Sequence, residues 1–134
     1  MKKAILLVAM VLIVGLALSG CAMFKAAKEP VKGCLDAWKK GDFEKAFSYF
    51  VEDTDIPYEE FKVYAEENPI KAFSLNNISL SEGVEGAPST GEVSGTVTLK
   101  GGSKLGCKFY IIEISEDVWK INDLEEFSTD LIPE

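Results

Sequence analysis

The chain has 134 residues, with 14 lysines, no arginine, no histidine and 22 acidic residues, which gives a formal net charge of −8. An acidic chain disfavours nucleic-acid binding, because that function depends on basic patches that neutralise phosphates. The missing histidine removes the side chain most often used as a general base near neutral pH, and the missing arginine removes the best bidentate ligand for phosphate. We therefore expect a protein that is not an enzyme and that uses no cofactor.

Residues 1–20 have the pattern of a secretory signal peptide. Lys2 and Lys3 precede an uncharged, almost wholly apolar run over residues 4–18, and the small residues Ser19 and Gly20 follow it. The apolar run has about fifteen residues, whereas a helix that spans a bilayer needs roughly twenty. After cleavage, twelve lysines and 22 acidic residues leave a net charge of −10. This mature chain offers no polybasic attraction to anionic lipid, so an acyl group has to supply the anchor.

The sequence Leu18-Ser19-Gly20-Cys21 resembles the lipobox of bacterial lipoproteins. This resemblance implies cleavage before Cys21 and a diacylglyceryl group on its thiol, in which each buried methylene contributes about 0.8 kcal/mol to anchoring. It places the protein in the cell envelope, on the outer face of the cytoplasmic membrane or in the outer membrane. The alternative is an ordinary signal peptide with a chance cysteine at its end.

Residues 21–29 are predicted to form a lipidated tether, and residues 30–134 a single domain. Helical periodicity begins at Val31, with a buried face made of Val31, Cys34, Leu35 and Trp38. Gly41 is expected to end this helix, and Asp42 to cap a second short helix. A third helix is predicted between Pro57 and Asn68-Pro69. The apolar stripes of these two helices are Phe43, Ala46, Phe47 and Phe50, then Tyr58, Phe61, Tyr64 and Ala65.

The period then changes to 2, which predicts four antiparallel strands. They cover residues 70–81, 92–100, 104–114 and 118–124, with a bulge at Asn76-Asn77 and a tight turn at Gly101-Gly102. Both faces are apolar near the end of the third strand, so we expect that end to be covered on both sides. The acidic tail, residues 125–134, is predicted to fray. The expected fold class is α+β, with three N-terminal helices packed on a curved antiparallel sheet.

Two segments carry a resemblance to nuclear transport factor 2-like domains, which have a cystatin-like cone. The first is VKGCLDAWKKGDFEKAFSYF at residues 31–50, and the second is Val118-Trp119-Lys120-Ile121. The resemblance covers about residues 29–124 and is greatest to the lipoprotein members of the superfamily. It implies a cone with a pocket at its wide end. The superfamily includes isomerases, dehydratases, carriers and dimerisation modules, so the fold alone does not settle function.

The enzymes of that superfamily usually place an Asp inside the cone, often with His or Tyr partners. This chain has no histidine, and its aspartates lie where turns and caps are expected. No catalytic residue is carried over from the resemblance.

Eight aromatic residues are candidates to line a pocket, although core filling is the favoured interpretation. Tyr64 and Tyr110 are the better pocket candidates, because a buried hydroxyl needs a partner. The full set is Trp38, Phe47, Phe61, Tyr64, Phe73, Phe109, Tyr110 and Trp119.

Cys34 and Cys107 would form a disulfide in an oxidising envelope, and the alternative is two buried free thiols. No metal site is predicted. Glu52, Asp53 and Asp55 are interpreted as a solvated turn, because a calcium loop would require a glycine and a more distant glutamate.

Together these observations predict a non-enzymatic module at the cell envelope that binds a small apolar ligand or an envelope protein. Its partners would be the membrane, through the lipid on Cys21, and a second copy of the chain or another protein. Two alternatives are an isomerase- or dehydratase-like enzyme with a buried carboxylate and a purely structural envelope lipoprotein.

Overall fold

The computed structural model describes residues 24–132. The predicted signal peptide and the lipidation site Cys21 lie outside the described residues. Three helices come first: α1 over residues 24–39, α2 over Phe43–Phe47 and α3 over Tyr58–Glu67. Four strands follow: β1 over Ile70–Ser81, β2 over Thr90–Leu99, β3 over Lys104–Ser115 and β4 over Val118–Leu124. A short 3₁₀ helix covers Thr129–Leu131. The predicted α+β class is confirmed.

Helix α1 buries the face that its periodicity predicts. Val31, Cys34 and Leu35 are fully buried and Trp38 is 2% exposed. The helix also covers residues 24–30, most of which the sequence analysis assigned to the tether. Pro30 cannot donate a backbone hydrogen bond to the preceding turn, but it is buried, and burial of this part of the helix offsets that loss.

The ends of the helices follow the predicted signals. Gly41 adopts a φ of 80°, a left-handed conformation that a residue with a side chain rarely takes, and its N–H donates to the carbonyl of Trp38. The Asp42 carboxylate accepts a hydrogen bond from the N–H of Lys45 at 3.2 Å and so caps α2. Pro57 stands immediately before α3 and Asn68 immediately after it.

The strands form one antiparallel sheet in the order β1-β2-β3-β4. The pairing of β1 with β2 shifts register between Leu75 and Asn77, which confirms the predicted bulge. One face of the sheet forms much of the core and is packed with the helices. It contributes the buried residues Leu75, Val93, Val97, Cys107, Phe109, Ile111 and Ile121.

The two edges of the sheet differ. Beside β4, the segment at Phe50 pairs in parallel with Ile121, through hydrogen bonds of 2.9 Å from Val51 N–H to the Ile121 carbonyl and from Ile121 N–H to the Tyr49 carbonyl. Beside β1, no strand pairs within residues 24–132. The sheet is therefore open at β1.

Besides the extent of α1, two sequence predictions are wrong. The far end of β3 is not covered on both sides, because Ile114 lies beyond the contacts of the core and is 52% exposed. The tail does not fray as a whole: Phe127 is buried at 9% exposure, and Ser128 exchanges two backbone hydrogen bonds with Gly106 at 2.8 and 3.1 Å. A Cβ atom on Gly106 would overlap the backbone of Leu131, so glycine is what allows the tail to cross β3 closely.

Candidate functional site

Most of the predicted pocket aromatics lie in the core instead. Trp38, Phe61, Phe109 and Trp119 are at most 5% exposed, and Phe47 and Phe73 are partly buried at the margin of the same core. Phe47 stacks on Phe50 with ring centroids 5.1 Å apart. The favoured interpretation of core filling therefore agrees with the positions of these six residues. Tyr64 and Tyr110 lie at the surface of the domain, on different faces.

Trp38 joins the end of α1 to the end of α3. Its indole N–H donates to the carbonyls of Ala65 at 3.2 Å and Asn68 at 3.0 Å. Its ring meets Phe61 edge-to-face at 5.3 Å and stacks on Phe127 at 5.2 Å. Because these contacts fix α3 against the tail, they also fix the position of Tyr64, whose ring contacts both Trp38 and Phe127.

A cleft of about 230 Å³ opens between α3, β4 and the start of the tail. We call it the Tyr64 cleft. Its apolar part is formed by Ile56, Phe61 and Leu124, with the Tyr64 ring beside them, and its acidic part by Glu60, Asp123 and Glu126. Three carboxylates beside an apolar surface give a site suited to a small group that is both apolar and positively charged.

The Tyr64 hydroxyl is the polar centre of this cleft. Its oxygen accepts a hydrogen bond of 2.7 Å from the backbone N–H of Phe127. A hydroxyl oxygen has a second lone pair, which can accept a hydrogen bond from an ammonium group. Burial raises the pKa of Tyr64, the Phe127 hydrogen bond lowers it, and the nearby Glu126 carboxylate raises it. The net direction of the pKa is upward, so the hydroxyl is neutral at physiological pH.

Tyr110 does not line this cleft, although its cross-strand partner Asp123 does, and it lies on the face of the sheet opposite the core. Its hydroxyl hydrogen-bonds to a carboxylate oxygen of Glu125. That hydrogen bond is the main reason that the pKa of Tyr110 rises to about 12. Tyr110 also borders a shallow polar depression of about 420 Å³ that contains Glu92 and Asp123. The two tyrosines that the sequence singled out are therefore not brought together into one pocket.

The two cysteines are both buried, and the structure has them as free thiols. Burial raises the pKa of Cys34 far above its ordinary value and that of Cys107 to about 11. A thiol protonated at neutral pH and withdrawn from solvent is a poor nucleophile and a poor metal ligand. The predicted Cys34–Cys107 disulfide stays a prediction.

The carboxylates of the described range lie outside the core. Residues 24–132 include no buried charged residue and no cluster of three or more Cys, Asp or Glu side chains that could hold a metal ion. Glu52, Asp53 and Asp55 are exposed at the turn before α3.

Sequence reasoning missed five members of the Tyr64 cleft, which are Ile56, Glu60, Asp123, Leu124 and Glu126. Leu124 ends the last predicted strand, Asp123 was counted among the turn and cap residues, and Glu126 was assigned to a fraying tail. The spacing of Leu124 and Phe127, two apolar residues flanking Glu125-Glu126, was the available signal that the tail turns back onto the core.

No family model and no curated protein matches the chain. Within the part of the chain that the structure describes, no helix is long and apolar enough to cross a bilayer.

Proposed function

We propose that this protein is a lipoprotein of the cell envelope, anchored through acyl chains on Cys21, and that its domain is a non-enzymatic binding module. The anchor rests on the signal-like residues 1–20 and the lipobox-like Leu18-Ser19-Gly20-Cys21. The finer fold assignment, a nuclear transport factor 2-like cone, belongs to the same proposal. It is supported by the order of three helices followed by a four-stranded antiparallel meander.

The observation that carries the binding role is the composition of the Tyr64 cleft. It combines an apolar part, a hydroxyl oxygen that can accept a further hydrogen bond and three carboxylates. Its volume of about 230 Å³ is below the roughly 300–1,000 Å³ of drug-sized ligand sites. A lysine side chain of a protein partner, or a small alkylamine, suits it better than the purely apolar ligand expected from the sequence.

The enzyme alternative needs a carboxylate deep in the fold, where desolvation would raise its pKa into a catalytic range. The described residues offer only exposed or partly exposed carboxylates. This favours binding over proton abstraction.

The test uses protein extracted from its own membrane. The mass of the N-terminal peptide should include a diacylglyceryl group on Cys21, and replacing Cys21 with Ser should remove it. An unmodified Cys21 would contradict the anchor.

The binding role is tested by amide NMR with n-butylammonium as the probe and with n-butanol and butyrate as uncharged and anionic counterparts. We expect n-butylammonium to shift the amide signals of Leu124 and Phe127 in a saturable manner, and its counterparts to shift them less. An Asp123→Asn/Glu126→Gln variant should weaken binding. The matched control is Glu59→Gln/Glu67→Gln, because both glutamates are exposed on α3 but do not line the cleft. Equal shifts with all three probes would contradict a binding site for cations and would favour the alternative of a purely structural lipoprotein.

A further inference from the structure

A groove with basic and apolar walls runs between the first half of α1 and the open edge of the sheet. We call it the α1–β1 groove. It consists of two adjoining depressions of about 360 and 300 Å³ that share Lys25, Lys28 and Leu75. Lys32 and Phe73 extend it at one end, and Phe24 and Ile78 at the other.

The three lysines lie on one side of α1 at positions i, i+3 and i+7. Within residues 24–132 no ion pair involves any of them. Glu29 is the only acidic residue among those that line the groove, so its local charge is +2. The rest of the mature chain then carries −12. This separation of charge is hidden in the overall composition, from which no polybasic attraction to anionic lipid was expected.

Phe24 adds an apolar side chain at the same place. Its ring is 50% exposed, on the same part of α1 as Lys25 and Lys28. An exposed aromatic ring beside lysines is typical of protein surfaces that enter the interface of a bilayer.

The short stretch of chain between Cys21 and Phe24 keeps this groove close to whatever Cys21 is attached to. Phe24 is only three residues after Cys21, so their Cα atoms lie within about 11 Å of each other. Lipid on Cys21 would therefore bring the groove to roughly one Debye length, about 10 Å, from the headgroups. The acidic remainder of the domain would be repelled from an anionic surface and turned away from it.

We infer that the α1–β1 groove is a membrane-docking surface, in which Lys25, Lys28 and Lys32 contact the phosphates of anionic phospholipids and Phe24 enters the interface. This inference rests on the proposed anchor at Cys21. It adds that the domain lies against the bilayer in one orientation, with the Tyr64 cleft left to a partner, instead of moving freely on a tether.

The experiment is a lysine-acetylation footprint of the lipidated full mature chain in detergent, in phosphatidylcholine vesicles and in vesicles with phosphatidylglycerol. We expect Lys25, Lys28 and Lys32 to be acetylated about fivefold more slowly on the anionic vesicles than on the phosphatidylcholine vesicles. A fivefold change corresponds to the roughly 1 kcal/mol that one basic residue contributes to binding near an anionic surface. The control lysines, Lys40, Lys45 and Lys100, are exposed and line neither depression, so their rates should not change.

A matched pair of variants tests the electrostatic mechanism with Lys28 as the reporter. Lys25→Gln/Lys32→Gln should remove most of the protection of Lys28, whereas Lys40→Gln/Lys45→Gln should leave it. All these side chains except Lys28 are exposed, so the variants are expected to fold.

Unchanged rates at all six lysines would overturn the inference, as would equal protection at all six or equal protection on the two kinds of vesicle. The mass of Cys21 in the same sample separates this result from the proposed anchor. A lipidated chain without protection refutes the docking surface alone, and a chain without lipid refutes the anchor.

Discussion

Trp38 and Trp119 are both buried, with 2% and 5% exposure, but their surroundings differ. The indole N–H of Trp38 donates to two backbone carbonyls, and its ring is covered by Phe127 from the tail. The indole N–H of Trp119 is buried without a hydrogen-bond partner among the described residues. One tryptophan therefore fixes the relative positions of three segments through directed contacts, whereas the other contributes packing.

The two surroundings also differ in how firmly neighbouring segments are held. The tail that covers Trp38 is held by Phe127 against the ring and by the two Ser128–Gly106 hydrogen bonds, and Tyr110 holds Glu125 from the other face of the sheet. Around Trp119, the neighbouring hairpin end exposes Ile114 and Val118. The Tyr64 cleft lies at the fastened side, as expected for a site that needs its groups in fixed positions.

The largest effect is expected for Trp38→Ala, which removes the ring on which α1, α3 and the tail converge. We expect a loss of about 3–5 kcal/mol in the free energy of unfolding, the usual range for truncating a buried tryptophan. Urea denaturation measures it. Val63→Ala is the control, because Val63 is 53% exposed on α3 and should change stability by less than about 0.5 kcal/mol. A loss no greater than that of the control would refute the central role of Trp38.

Gly106→Ala tests whether the tail is part of the folded domain. The added methyl group would overlap the backbone of Leu131 and Ile132, so we expect a cost of about 1–3 kcal/mol and faster hydrogen exchange at Ser128. Gly101→Ala is the matched control, since a Cβ atom there meets nothing within 4 Å. Similar stability and exchange in the two variants would show that the tail does not pack on β3 in solution.

The two tryptophans are compared directly by replacing each with Phe. Both changes lose ring area, but only Trp38→Phe loses hydrogen bonds, so it should be more destabilising by about 1 kcal/mol. Trp119→Phe removes an unpartnered N–H, which partly offsets its lost packing. Chemical denaturation of the two variants gives the difference. A larger loss for Trp119→Phe would indicate a hydrogen bond at that N–H in solution.

The smallest effect is expected for the hydrogen bond between the Tyr110 hydroxyl and the Glu125 carboxylate. Because the hydrogen bond raises the pKa of Tyr110 to about 12, above its ordinary value of 10.0, the folded state binds its proton more tightly than the unfolded state. The resulting stabilisation is fully present below about pH 10 and is lost as the pH rises towards about 12. NMR titration of the ring should give the raised pKa, and Glu125→Gln should lower it, whereas Glu82→Gln should not. Ionisation of Tyr110 near pH 10 would contradict a hydrogen bond to Glu125 in solution.

The sequence predicted a helix or strand correctly where its apolar residues kept a regular spacing and its ends had clear capping or turn residues. The i, i+3, i+4, i+7 pattern at Val31, Cys34, Leu35 and Trp38 gave the buried face of α1, and the shift at Asn76-Asn77 gave the bulge in β1. It failed for α1 before Val31, where residues 21–29 were predicted to be a tether, and for the tail, where acidic residues concealed the role of Phe127.

The candidate site was less predictable than the fold. Tyr64 was identified because a tyrosine on an apolar helix face needs a polar partner. That partner is the backbone N–H of Phe127. Because every residue except proline has a backbone N–H, the sequence does not show which one is the partner. The three carboxylates of the cleft come from α3, β4 and the tail, and no local pattern connects segments that are separated by some sixty residues.

The sequence by itself determined the elements, the class of the fold and the signal-like start, because these depend on periodicity, caps and local composition. The tertiary structure decided which aromatics fill the core, where the tail goes and which charges come together. Those outcomes depend on contacts between distant segments. The α1–β1 groove shows both contributions. Helical spacing alone puts Lys25, Lys28 and Lys32 on one side of α1, whereas only the packing of α1 against β1 places Leu75 beside them.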